Sequence, residues 1–544
     1  MSQRRKTAEK DSEDPGKYAR AAASDPGQKL DRYINFVPSI AFDATLQASW
    51  EASAASFQAG LLNGGPTALV WGTLLTWIGT TAMAASLGEM ASINPTVGAQ
   101  YRWTALYAPR RFLSPAFWSL IQGKIALIAG LRYERPKGAV FSHGVAKHET
   151  QVFAFMATCA QVAFLEGGIV QGLIIFNNPN YVPELWHGTL LAWAILALPL
   201  LCNVFARRIL PPLEIIGGIG HIVFFIVFIT TLSVMAKRST PEFVFTETIT
   251  GISGWENSGV QWCIGLLAGA FPLGSFDGII HMSAEVKNAP RRIPQSMVTS
   301  VLINGALLWG FLVCIMFTIG DLDAALNTPT RFPIIEVLFQ ATKSREATTV
   351  LMSFIVFMGV VALFSTLASV SRLVWAFARD RGLPFSDFFA YVHPTLRIPL
   401  NALGLVVVVV VLITLISVGN TAAFFAILSL NTLALYISYL IPMIFFVMAK
   451  LRGGHIPYGP FRMGRRFGLF VNFFAIAYGI FIAIFLPFPA TVPVTAASMN
   501  YGGPVVGLVI MFAICDWVVS GRKRFKGPIE REEIEKEDEA EGTA

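Results

Sequence analysis

The chain is 544 residues long, 54% hydrophobic and 14% charged, with a mean hydropathy of +0.58; this excludes an ordinary soluble domain, in which about 25% of residues carry charge. Its net charge of +7 does not signal nucleic acid, because Lys and Arg fall in short clusters between apolar runs and no basic helix or aromatic RNA-binding signature accompanies them. Cys159, Cys202, Cys263, Cys314 and Cys515 sit inside apolar runs with neither CxxC spacing nor histidine partners, so they read as small buried side chains, with no metal or cofactor implied.

Residues 1–37 are polar and lack the apolar core of about 7 to 15 residues that a signal peptide needs, so a disordered cytosolic amino-terminal tail is expected. From there a window of about 19 residues, the length that crosses roughly 30 Å of hydrocarbon, predicts an all-α integral membrane protein with twelve spans. Their cores run over 39–62, 67–92, 152–176, 188–206, 213–236, 260–283, 297–319, 348–372, 400–418, 421–449, 467–487 and 504–520. The membrane domain then covers 38–522, and a charged cytosolic tail follows over 523–544.

Charge tests that count, since one span too many would swap the side of every later loop. Loops predicted to be cytosolic carry Arg102, Arg110 and Arg111; Arg207 and Arg208; Lys287, Arg291 and Arg292; Arg379, Arg381 and Arg397; and Lys450, Arg452, Arg462, Arg465 and Arg466. Predicted outer loops at 63–66, 177–187, 419–420 and 488–503 contain neither Lys nor Arg, and only those at 237–259 and 320–347 have a few, so both termini are expected in the cytosol.

The polar segment 124–151, with Arg132, Glu134, Arg135, Lys137, Lys147 and Glu149, breaks this regularity. An extra span over 112–131 would invert the later charge pattern and is rejected. Removing 124–151 would instead let WSLIQG at 118–123 run into VFAFMATCAQ at 152–161 as one third span. The segment therefore reads as an unspliced intron or mis-set exon boundary, with a genuine lineage-specific insertion as the alternative.

Asp43, Gln47, Trp50 and Glu51 are embedded in a first span rich in Ala and Ser. Intramembrane carboxylates are costly and ordinarily face a cavity, so Asp43 and Glu51 are candidates for contact with a cationic group or for proton handling. A position for Asp43 near the cytosolic interface is the alternative, and Glu89 in the second span and Glu166 in the third carry the same two readings. His221, at the start of an apolar run, reads as a packing residue. In the sixth span, FPLGSFDG at 271–278 interrupts the apolar run. Pro272, Gly274 and Gly278 would leave backbone groups that only protein neighbours, cavity water or a solute can satisfy, and half-helix ends whose dipoles orient a charged solute. The alternative is a proline kink with close helix packing, because Gly265/Gly269 and Gly274/Gly278 both have GxxxG spacing.

Five separated blocks occur in order: SLGEMASINPTVGAQYRW at 86–103, IVQGLIIFNNPNYVPELWHGTLL at 169–191, FDGIIHMSAEVKNAPRRIP at 276–294, ARDRGLPFSDFF at 378–389 and the long stretch from YGPFRMGRRFG to MNYGGPV at 458–505. Over about residues 35–525 the chain resembles fungal permeases of the amino acid, polyamine and organocation superfamily, in the branch that includes choline and gamma-aminobutyrate permeases. The resemblance implies an inverted five-helix repeat core with two extra carboxy-terminal helices, unwound first and sixth spans around a central site, and alternating access. By position it implies solute contacts at Ala41, Phe42, Asp43, Ala44 and Thr45 and at Gly274, Ser275, Phe276, Asp277 and Gly278, although the first span has no glycine before Gly60 to mark an unwound point. Glu285, Lys287, Asn288, Pro290, Arg291 and Pro294 match the cytosolic motif after the sixth span, a gate or helix anchor.

The implied function is import of a small nitrogenous solute, an amino acid, gamma-aminobutyrate or choline, driven by protons, with Asp43, Glu89, Glu166 and Asp277 as relay candidates. The plasma membrane is the expected location and the vacuolar membrane the alternative. No GxxxxGK[ST] loop, HExxH or nucleophile elbow occurs, so neither nucleotide hydrolysis nor an enzyme is indicated. The competing readings are a nutrient sensor that binds without transport and a chain inactivated by the third-span insertion.

Overall fold

The computed structural model describes residues 32–109, 114–125, 151–206, 209–380, 383, 385–419, 421–453, 456–495, 499–516 and 518. These residues are almost wholly helical, and nine of the helices are long and apolar enough to cross a membrane. In chain order, the helices that concern the site are α1 (Phe36–Gln47), α2 (Ser49–Ser56), α3 (Gly65–Ile93), α4 (Ala99–Tyr107), α5 (Pro115–Ile125), α6 (Gln151–Asn177), α7 (Leu185–Phe205) and α8 (Leu210–Met235). They continue with α9 (Ser258–Gly265), α10 (Ala289–Thr318), α11 (Arg345–Arg379), α12 (Leu400–Gly419), α13 (Thr421–Leu451), α14 (Arg465–Phe485) and α15 (Gly502–Asp516).

Helix α8 shows how lipid as solvent arranges such a run. Glu214, Gly217, His221, Phe228 and Leu232 recur at three, four and seven positions and are buried, while Ile216, Ile219, Val223 and Ile226 are exposed. Against hydrocarbon an isoleucine loses nothing by facing outwards, whereas a carboxyl or imidazole must turn to the protein interior.

Two predicted spans are discontinuous. The first is divided into α1 and α2, and in the sixth α9 passes into a 3₁₀ turn, Leu266–Gly269, a non-helical stretch over 270–277 and a second 3₁₀ turn, Gly278–Met282. α3 and α10 pack along each other, α3 supports Leu266–Gly269, and α1 lies against both α10 and α8. The interrupted pieces are thereby enclosed by continuous helices.

The expected polar tail extends less far than residue 37. The amides of Tyr33 and Ile34 each donate to the Glu285 carbonyl at 3.0 Å, and the Lys287 amide donates back to the Ile34 carbonyl at 3.0 Å, so backbone pairing engages the chain before α1 begins. Segment 124–151 lies outside the described residues except where it closes α5 and opens α6, and tail 523–544 lies outside them entirely.

Candidate functional site

The first interruption is at Ala48, not within 41–45. Ala41, Phe42, Asp43, Ala44 and Thr45 are all helical in α1, and Ala48 takes the left-handed conformation (φ 40°, ψ 51°) that ends it. Without a glycine, this break depends on a neighbour. Asn304 of α10 accepts from the Ser49 amide through Oδ1 at 3.3 Å and donates from Nδ2 to the Ala44 carbonyl at 3.3 Å, while Ser49 Oγ donates to the Asn304 carbonyl at 3.0 Å. The Ser49 amide freed by the interruption is thus met by a side chain from another helix, which also adds a second donor to the Ala44 carbonyl already bonded by the Ala48 amide.

One turn before the break, Asp43 is fully buried and accepts from Ser300 Oγ at 3.0 Å and from the Ile279 amide at 3.3 Å. The second contact joins the first span to the second 3₁₀ turn of the sixth. Gly278 allows this approach, because a Cβ there would overlap the Leu46 side chain. Thr45 Oγ1 donates to Glu214 Oε2 at 2.5 Å, and Ser365 Oγ of α11 donates to Glu214 Oε1 at 2.8 Å.

In the sixth span Asn257 caps α9 by accepting from the Gly259 and Val260 amides at 2.9 and 3.1 Å. Pro272 has no amide to donate, and Ser275 adopts φ 58°, so the helical ladder is lost over Gly274, Ser275, Phe276 and Asp277. Neighbours take up the carbonyls: Thr76 Oγ1 donates to Leu266, Tyr436 Oη to Ala270 and Ser369 Oγ to Gly278, at 3.3, 2.9 and 3.0 Å. Among the described residues the consecutive amides of Ser275, Phe276 and Asp277 have no hydrogen-bond acceptor. Consecutive free amides are the donors from which anion-binding backbone nests are built.

Asp277 is fully buried and accepts from Gln100 Nε2 and, at 2.5 Å, from Tyr439 Oη of α13; His281 Nε2 lies 3.5 Å from it. The Phe276 and Tyr439 rings are 4.9 Å apart. Asp43 bonds the Ile279 amide two residues beyond Asp277, so the two interruptions share one buried polar centre.

The remaining sequence candidates are dispersed. Glu89 pairs with Lys450 and accepts from the Met463 amide at 3.3 Å, which makes it a brace between α3, α13 and the approach to α14. Glu166 is on α6 and is not among the contacts of Asp277. In the cytosolic motif Glu285 is buried and paired with Arg372 Nε at 2.9 Å, Lys287, Asn288 and Arg291 are exposed, and Pro290 and Pro294 fall in the opening turns of α10. Gln47, Gln100, Glu214, Asn304 and Tyr439 complete the site without having been singled out for it. Gln47 ends α1 with both amide atoms buried and unpartnered among the described residues. Glu214 was accessible to the rule that found Asp43, a carboxylate in an apolar run, but stood at the edge of the predicted fifth span.

The family model for amino acid permeases matches residues 139–512. The chain belongs to the amino acid permease family. This permease is 29% identical to the choline transporter of Saccharomyces cerevisiae, over 88% of its own length and 80% of that protein's. It is 28% identical to the amino-acid permease BAT1 homolog of Oryza sativa subsp. japonica, with 92% and 93% covered, and 26% identical to the GABA-specific permease of S. cerevisiae, with 88% and 79% covered. It is a multi-pass membrane protein of the amino acid, polyamine and organocation superfamily.

Proposed function

We propose that this permease is a secondary active transporter that imports a small nitrogenous solute, an amino acid, gamma-aminobutyrate or choline, together with protons, by alternating access around the two interrupted spans. The observation that carries this reading is the contact of Asp43 in α1 with the Ile279 amide of the sixth span, which puts two buried carboxylates beside a run of free amides. Asp43 and Asp277 are suited to an ammonium group, and the amides of Ser275, Phe276 and Asp277 to a carboxylate. Phe276 and Tyr439 supply aromatic faces, which also attract a quaternary ammonium. Gly274 and Gly278 bound the segment, and Asp43 faces it from α1, while Ala41 and Thr45 turn to α8. Relatives named for choline and gamma-aminobutyrate support this range of solutes. Because Lys450 neutralises Glu89, Asp43, Asp277 and Glu166 are the stronger candidates for proton coupling. Clustering of Lys and Arg in alternate loops supports cytosolic termini, and the plasma membrane is the location proposed.

Uptake of labelled choline, gamma-aminobutyrate and neutral amino acids by permease-deficient cells, each competed by the others and measured with and without a protonophore, tests the reading. One solute is expected to accumulate, and the protonophore to abolish accumulation. Asp277→Asn should lower transport of that solute by roughly 10- to 100-fold at unchanged membrane abundance, the range for losing one charge-assisted contact. Unchanged affinity and rate would remove Asp277 from the mechanism.

A further inference from the structure

A second buried cluster lies outside the centre described above. Glu51 of α2, His221 of α8 and Glu166 of α6 are each at most 4% exposed. His221 Nδ1 is 2.7 Å from Glu51 Oε1, Trp50 Nε1 donates to the His221 carbonyl at 3.1 Å, and Trp50 of α2 and Ile169 of α6, one turn after Glu166, belong to one buried hydrophobic cluster. Glu51 Oε2, His221 Nε2 and Glu166 Oε2 are buried with no hydrogen-bond partner among the described residues. Gly359 of α11 makes room for this arrangement, since a Cβ at that position would overlap the Glu166 carboxyl.

Other titratable groups on the surrounding helices are engaged elsewhere. Asp43 is held by Ser300 and the Ile279 amide, Glu214 by Thr45 and Ser365, and Glu336 by Gln340. His187 meets Tyr181, Arg345 meets the Phe176 carbonyl, and Glu346 meets Ser344. Arg372 and Lys450 are paired with Glu285 and Glu89. On α10 the charged groups are Arg291 and Arg292, in its first turn. Glu51, His221 and Glu166 must therefore balance their charges among themselves. Two carboxyls and one imidazole sum to zero either with one carboxyl protonated and the imidazole charged or with both carboxyls protonated and the imidazole neutral, so in each neutral state at least one carboxyl holds a proton. Removing that proton leaves an uncompensated charge in a dry interior, which is costly until water reaches it.

We propose that Glu166, with the Glu51–His221 pair beside it, is where this permease carries its coupling proton, at a position separate from the solute site of Asp43 and Asp277. The proposal rests on the proton-driven reading given above. An O–H bond forms at Glu166 from a proton supplied by water on the loading side, and the same bond breaks to water on the releasing side. Coupling to the solute follows from the first span: Asp43 is on α1 and Glu51 on α2, so movement about Ala48 alters one centre relative to the other.

The test uses the full chain in permease-deficient cells and in reconstituted vesicles, with whichever of choline, gamma-aminobutyrate or neutral amino acids the native protein imports fastest as label. Accumulation by the native protein that resists a protonophore would sink the proton-driven reading itself, and this inference with it. Given native accumulation that collapses with protonophore, Glu166→Gln and Glu51→Gln are expected to exchange labelled for unlabelled solute at native rates. Both should accumulate no label above equilibrium and lose the pH dependence of uptake. Protonophore-sensitive accumulation with a native pH profile in either variant overturns the assignment while leaving the reading intact, so the decision does not hang on one substitution folding.

Discussion

Asn304 meets the needs of the first interruption with a single side chain, bonding the Ser49 amide on one side of the break and the Ala44 carbonyl on the other. Replacing it by Leu, of similar size, leaves the Ser49 amide buried and unpaired, worth about 1–3 kcal/mol, and leaves the Ala44 carbonyl with only the Ala48 amide. Asn304→Leu is therefore expected to melt several degrees lower in detergent and to transport slowly, as measured by thermal unfolding and initial uptake; unaltered melting would show that the break does not need this residue. Asp43 and Asp277 were legible in the sequence because a carboxylate inside an apolar run stands out from its neighbours. Their partners were not. Asn304 lies 255 positions from Ser49, Gln100 lies 177 from Asp277 and Tyr439 lies 162 from it, so local pattern carries no trace of the pairings. An amide or a phenol in a membrane helix is also common enough to pass as packing.

The two interrupted elements differ in how openly they advertise themselves. Proline and glycine over 271–278 announce the sixth, and the GxxxG spacing that suggested close packing belongs to the same feature, since Gly278 both ends the irregular stretch and admits Leu46. The first break falls on an alanine, and no propensity rule finds it. An alanine held in the left-handed region costs about 1 kcal/mol relative to glycine. Ala48→Gly should therefore raise or preserve thermal stability, whereas Ala48→Val, β-branched and unsuited to positive φ, should lower it. Equal melting temperatures for the two variants would contradict the strain assigned to Ala48. Helix limits were more legible than irregular backbone: predicted cores at 67–92 and 400–418 fall inside α3 and α12, and 213–236 passes the end of α8 by one residue, because long apolar runs repeat one instruction over many residues.

At the level of the whole molecule, buried ion pairs join elements that would have to move if access alternates. Glu285 with Arg372 ties the end of the sixth span to α11, and Glu89 with Lys450 ties α3 to α13. Arg102 Nη2 meets Asp380 Oδ1 at 2.7 Å, and Tyr101 Oη donates to Asp380 Oδ2 at 2.7 Å. Burial, followed by the Asp380 charge, pushes the Tyr101 phenol above its ordinary value and keeps it a donor. The residues that stood out as a cytosolic motif thus divide between one buried pair and exposed positions at the start of α10. The third-span interruption at 124–151 falls where the described residues end.

The central claim is that solute lies between the two interruptions. It is tested most directly by solute protection of Ser275→Cys, in a chain whose five native cysteines have been replaced, against a small thiol reagent. Saturating amounts of the imported solute should slow labelling at position 275 severalfold and leave a cysteine at Val234, on the exposed face of α8, unaffected. Labelling of Ser275→Cys at the same rate with and without solute, in protein that still transports it, would contradict the account.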